Sequence, residues 1–268
     1  MSYLSDEVLT LNASVTELNY RCLADNGFPE FVAVLPAQKA NKFRTIPPNL
    51  DFKAMFDDVT RSPWFETKDD AKALGYGRNA KGLDTRVVVS DPAFLAVAKE
   101  CGDKVQAKLP GSHDVLATYA DIGVKIIKAI NDAGESSFKA SSGAVYDCMA
   151  QHKFPVSSTA PNRVAPWGVD FGVPLGSQPP RPPANDPVSS HGVNIIPAVP
   201  GSEYAPSAEE KESATIMFNC SIETGVRTQW KKSVDDAIRA TLAENQSSLD
   251  SLRTKLTEMA KAASDAVA

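Results

Sequence analysis

Four cysteines, Cys22, Cys101, Cys148 and Cys220, constrain this chain more than any other feature, because their surroundings match in pairs. The stretch from Tyr20 to Pro29 agrees in register with that from Tyr146 to Pro155 at tyrosine, cysteine, a long apolar residue, alanine, phenylalanine and proline. Each copy is followed, after a similar length of chain, by a second cysteine in sequence that reads as helix. This is the pattern of a duplicated unit in which a helix-ending cysteine pairs with a later helical one. Four cysteines allow three connectivities, and the repeat favours Cys22 with Cys101 and Cys148 with Cys220. In the chain-entropy picture, closing loops of this length stabilises the fold by about 4.5 kcal/mol each. The alternative is four buried thiols acting as small hydrophobes. Disulfides would place the chain in an oxidising compartment. No CxxC, CxxCH or cysteine-histidine cluster is present, so a metal or redox site would have to be assembled from distant pieces, and neither metal nor cofactor is expected.

The 268 residues allow one large domain or two small ones, with 43% hydrophobic and 23% charged residues, near the globular average. The 28 basic residues are outnumbered by 33 acidic ones and nowhere form an arginine-rich block, so nucleic acid is not an expected partner. Asp6, Glu7 and Glu17 interrupt the first twenty residues, which therefore do not read as a signal peptide, and no run is long enough to span a bilayer. The chain is then either cytoplasmic or the mature form of one whose signal or lipid anchor lies upstream.

The apolar spacing over Leu4 to Ala24 predicts a helix stopped at Gly27, and Phe31 to Leu35 reads as a short strand ended by Pro36. Asp91 as N-cap with Pro92 after it opens a helix through Cys101. The stretches Asp114 to Asp132 and Glu135 to Gln151 are both helical in pattern. Residues 154–206 differ in kind, holding twelve of the nineteen prolines and five charged residues. Proline fixes φ and lacks a donor, so this segment is expected as an extended loop with neither helix nor central strand. Its apolar groups Trp167, Phe171, Val173, Leu175 and Val193 to Val199 favour a loop packed over the body. From Ser207 the chain reads as helix to its end, opened by a Ser207–Glu210 capping box, with a break around Glu244 to Ser247. The expected fold is mainly α: a disulfide-bonded helical body (1–153), a proline-rich loop (154–206) and a C-terminal helical pair packing back on the body (207–268). An amphipathic pair of this kind is ordinarily core; self-association is its other use.

Cys22-Leu-Ala-Asp-Asn-Gly-Phe, Leu74-Gly75-Tyr76-Gly77, Cys148-Met-Ala and the stretch Ala214 to Gly225, with the Ala243 to Leu249 helix after it, resemble a group of secreted proteins and lipoproteins of actinobacterial cell envelopes. Those proteins carry paired "CMxxxGF" and "CM" elements, a "YGYG" element and a long C-terminal helical stretch. Lys153 stands where the second copy would carry glycine, and Leu74-Gly75 replaces the first Tyr-Gly. The resemblance implies an extracytoplasmic address, at the cell surface or secreted, more than an activity.

Catalytic patterns are sparse. His113, His152 and His191 lie in no HExxH motif, and Ser136 to Lys139 matches SxxK without the KTG or SDN that would give it meaning. The expected function is a non-enzymatic binding or structural module of the envelope, presenting aromatics such as Trp167, Phe171 and Tyr204 to a cell-envelope component or another protein. The alternatives are a hydrolase with a dispersed site, for which His113, Ser136 and Lys139 are the candidates, and a phage or particle structural protein.

Overall fold

The computed structural model describes residues 3–40, 48–59, 65–159, 169–180, 188–190 and 192–268. Helix makes up 69% of the structure, and the chain forms the expected mainly α body. In order come α1 (Ser5–Asp25), α2 (Glu30–Ala40), a 3-10 turn (Pro48–Leu50), α3 (Phe52–Val59), α4 (Lys68–Leu74), β1 (Arg86–Val89), α5 (Phe94–Lys108) and α6 (Ser112–Gln151). There follow β2 (Ser158–Thr159), β3 (Val169–Asp170), β4 (Val188–Ser190), β5 (Val193–Ile196), α7 (Ala208–Glu223), α8 (Val226–Glu244) and α9 (Gln246–Val267).

Two long helical pairings make the frame, α6 along α8 and α1 along α9. Their apolar stripes meet in a central core built from Leu11 and Leu18 of α1, Tyr119 and Ile126 of α6, Trp230 and Val234 of α8, and Leu252 and Leu256 of α9. Tyr119 stacks on Phe52 at 4.2 Å between ring centroids and donates its hydroxyl to the Tyr3 carbonyl at 2.7 Å. A buried tyrosine thus satisfies its one polar atom while filling volume. The apolar stripes of α8 and α9 point inward, as an intramolecular core requires.

Both disulfides form as the repeat predicts: Cys22–Cys101, 79 residues apart with Cα atoms 5.6 Å apart, and Cys148–Cys220, 72 residues apart with Cα atoms 5.8 Å apart. Each sits in its own satellite core, one with Leu23, Phe28, Phe31 and Val193, the other with Tyr76, Val145, Met149, Phe171 and Met217. The two cysteine-bearing helices α1 and α6 also end alike. Phe28 N–H donates to Leu23 O at 3.0 Å, and Phe154 N–H donates to Met149 O at 3.0 Å. The residue just before each phenylalanine has positive φ, +102° at Gly27 and +71° at Lys153. This is the Schellman ending of a helix, which turns the chain back and sends the following phenylalanine into the satellite core.

Five expectations are corrected. Phe31 to Leu35 is helix, not strand: Phe31, Val34 and Leu35 are buried at three-four spacing while Val32 and Ala33 face out, and Pro36 sits inside α2 on its exposed side. Phe31 is held by Tyr20 (5.0 Å) and Phe94 (5.6 Å), and this aromatic packing outweighs the lost amide donor. The stretches before and after Gly134 are one helix of 40 residues, about 60 Å long, because Gly134 is covered by the Trp230 indole. The C-terminal region holds three helices, since Gly225 (φ +71°) separates α7 from α8. Within the proline-rich segment, β5 is the central strand of a sheet ordered β1-β5-β4, antiparallel throughout, with Val89 opposite Val193 and Ser190 opposite Val193. It occupies a proline-free interval ending just before Pro197, so its amides remain available to both neighbours. The helix α5 starts at Phe94, so its N-cap is Ala93 and not Asp91, whose carboxylate accepts the Ala93 N–H at 2.7 Å in the turn just ahead.

Among the described residues, no helix is long and apolar enough to cross a membrane.

Candidate functional site

The Ser207–Glu210 capping box forms as the sequence predicts, with Ser207 Oγ accepting the Glu210 N–H at 3.0 Å. Glu210 does more than cap. Its side chain is fully buried, and its carboxylate collects donors from three separate stretches of chain. Tyr76 N–H donates to Oε1 at 2.7 Å and Gly176 N–H to Oε2 at 2.6 Å. The Tyr204 hydroxyl lies 3.1 and 3.0 Å from the two oxygens, and Ser207 N–H reaches Oε2 at 3.4 Å. A buried carboxylate is tolerated only when its lone pairs are used in this way.

Around it the backbone is drawn tight. Ser207 Oγ donates to Pro174 O at 2.5 Å, Asn79 Oδ1 accepts the Tyr204 N–H at 2.8 Å, and Tyr76 Oη shares a 2.6 Å hydrogen bond with Ser213 Oγ. The Tyr204 ring lies flat against Gly77, where any Cβ would collide with it. That contact explains the glycine after Tyr76. Burial, then the hydrogen bond to Glu210 and its charge, push the Tyr204 hydroxyl up to about 12, against a smaller opposing effect from Gly176. Burial likewise raises Tyr76 well above the usual phenol range. With its oxygens engaged and Gly75 closed against it, Glu210 ties loops together and leaves no room for a substrate at its oxygens.

Phe171, expected both to anchor the loop on the body and to be presented to a partner, does the first: it is buried in the satellite core, stacked with Tyr76 at 6.1 Å and edge-on to Tyr146 at 6.1 Å, and is not on display. Its flanking strand β3 pairs with β2 and turns it inward. Tyr204 is half-buried with its hydroxyl on Glu210, and Trp167 lies outside the described residues. The hydrolase candidates do not converge. His113 is exposed with Nδ1 3.5 Å from Asp114, and Ser136 and Lys139 lie on the open face of α6, Lys139 paired with Glu135 at 2.5 Å. His191 lies outside the described residues.

Two further places have chemistry. A cleft of about 320 Å³ opens where the C-terminal ends of α1, α5 and α9 meet, with Arg21, Lys104 and Lys108 in its lining beside a single carboxylate, Asp25. Arg21 is already committed to Glu17 (2.5 Å) and the Val267 carbonyl (2.9 Å), and Lys104 pairs with Glu100 at 2.6 Å. At the other disulfide, one donor atom each from Cys148, His152 and Cys220 lies within 4.8 Å of the others, and Glu223 Oε2 is 3.8 Å from Cys148 Sγ. Glu210, Glu223 and His152 were not legible as site residues. Glu210 reads only as a cap, and the spacing of His152 four residues after Cys148 is the one signal that could have drawn attention to it.

Comparison with protein-family profiles, curated proteins and solved structures finds no match for this chain.

Proposed function

We propose that the protein is an extracytoplasmic component of the cell envelope that works by binding or by structural support, without catalysis of its own. The pair of long-range disulfides carries this reading. They close loops of 79 and 72 residues, and cross-links of this kind persist where thiols oxidise. The resemblance of the Cys22, Gly75-Tyr76-Gly77 and Cys148 elements to envelope proteins points the same way. The separation of His113 from Ser136 and Lys139 on exposed helix surface supports binding over hydrolysis, since nucleophile and base must come within hydrogen-bond reach. The cationic cleft by Cys22 offers a concave surface for anionic material such as a phosphate- or carboxylate-bearing wall polymer.

Two measurements test the proposal. Protein isolated from its own cells and alkylated without reductant is expected to keep its unmodified mass; four alkylated cysteines would remove the extracytoplasmic reading. Sedimentation with purified envelope polymers is expected to carry the protein down, and Lys104→Glu with Lys108→Glu to leave it in solution. Failure of the wild type to sediment with any anionic fraction would remove the binding role.

A further inference from the structure

We propose that Cys148, Cys220, His152 and Glu223 form a site for a thiophilic divalent cation, zinc by chemical class, that opens when the Cys148–Cys220 disulfide is reduced. Three of the four residues are already gathered, and Glu223 stands beside one of them. Cys148 and His152 stand one helical turn apart at the C-terminal end of α6, Cys220 and Glu223 one turn apart at the end of α7, and the disulfide holds the two helix ends together. The sulfurs and an imidazole nitrogen lie within 4.8 Å of one another, and the Glu223 carboxylate is 3.8 Å from Cys148 Sγ. A tetrahedral zinc bound by sulfur, nitrogen and oxygen needs donors roughly 3.3 to 3.8 Å apart. Once the S–S bond is broken, the two sulfurs separate toward that spacing with the helix ends otherwise in place.

The duplication supplies an internal control. In the first copy the position of His152 is held by Asn26, whose side-chain amide donates to the Cys22 carbonyl at 2.7 Å and lies 3.6 Å from Cys22 Sγ. An amide is a poor zinc ligand, and the cleft beside Cys22 gathers Arg21, Lys104 and Lys108, which oppose a cation. The two disulfides are alike in backbone setting and differ in the chemistry around the sulfur.

The steps balance. Two molecules of a small thiol reduce the disulfide, giving the two cysteine thiols and the oxidised thiol pair. Binding of the cation then releases two protons to solvent as both thiols become thiolates, while His152 contributes a nitrogen lone pair and Glu223 a carboxylate oxygen. The disulfide of the same small thiol reverses this: it takes the two electrons from the thiolates and two protons from solvent, returning two molecules of the thiol as the protein disulfide reforms and the metal leaves. None of this rests on the envelope reading, since it concerns only the reduced form.

The test uses the full chain, reduced with a phosphine, freed of it, and titrated with cobalt(II) as a spectroscopic stand-in. The expected result is thiolate-to-cobalt charge-transfer absorption saturating at one equivalent and bleached by zinc. It should persist in C22S/C101S and require at least tenfold more cobalt in His152→Ala. Absence of the band, or a band lost in C22S/C101S and untouched in His152→Ala, overturns the site. Where reduction unfolds the chain, added zinc is expected to restore helical circular dichroism to the wild type and not to His152→Ala; a reduced chain that zinc leaves unfolded overturns it equally.

Discussion

Lys153 and Gly27 occupy the same turn in the two halves of the molecule, and only one of them suits it. Both sit at positive φ, +71° and +102°, a region that costs an L side chain on the order of 1 kcal/mol and glycine almost nothing. Lys153→Gly is therefore expected to stabilise the protein by about 0.5 to 1 kcal/mol despite the looser unfolded chain. Gly27→Ala should destabilise it by about 1 to 2 kcal/mol. Denaturant midpoints at constant m value read both changes; a destabilised Lys153→Gly would show that the lysine side chain earns its place by contacts. Glu210 belongs to the same scale. Glu210→Gln turns an acceptor of several N–H and O–H groups into a side chain that presents its own N–H to some of them. The expected loss is about 3 kcal/mol, because buried donors are left unpaired. Tyr204 adds a pH signature. Its pKa is raised to about 12 in the folded protein, against an ordinary value near 10. The unfolded chain therefore loses that proton first as pH rises, and the stability contributed falls between about 10 and about 12. Tyr204→Phe should flatten that part of the alkaline limb, as read from thermal midpoints across the range.

The helices show how packing redirects local preference. Glu17, buried on α1, accepts from Arg21 of the same helix at 2.5 Å and pairs with Lys39 of α2 at 2.7 Å. Burial pushes its carboxyl up, but the hydrogen bonds and charges of Lys39 and Arg21 outweigh this and hold it below the usual carboxylate range. The stability it contributes is thus fully present above the ordinary carboxylate pKa and is lost as pH falls through the lower, folded value. Glu17→Gln is expected to weaken the acid dependence of unfolding, measured as denaturant stability from neutral pH downward; an unchanged slope would show that the α1–α2 pairing contributes nothing. α2 itself was hidden by Pro36 and by five consecutive apolar residues, a pattern that suits strand and helix equally until Tyr20 and Phe94 are known to flank Phe31. The continuity of α6 was hidden in the same way, since a glycine reads as a break unless Trp230 is known to cover it.

At the scale of the whole molecule, one central core of long helices is flanked by two stapled satellite cores. Removing Cys148–Cys220 through paired alanine substitutions is expected to cost about 2 to 5 kcal/mol. Amide exchange should rise most around Val145, Met149, Phe171 and Met217, and least along the α1–α9 pairing. Uniform acceleration across the chain would mean that the cores unfold as one unit. Sequence alone was enough for the mainly α class, the matched surroundings of the cysteines, the pairings those surroundings favour and the Ser207 capping box. All of these are written in spacing within a few residues or in the matching of one half against the other. The joining of Gly75-Tyr76-Gly77, Gly176 and Tyr204 at Glu210 came only from the folded chain, as did β5 at the centre of its sheet and the approach of His152 and of Glu223 to the Cys148–Cys220 disulfide. These depend on which separate surfaces bury one another, and burial between segments that are not neighbours in the chain leaves no periodicity along either one.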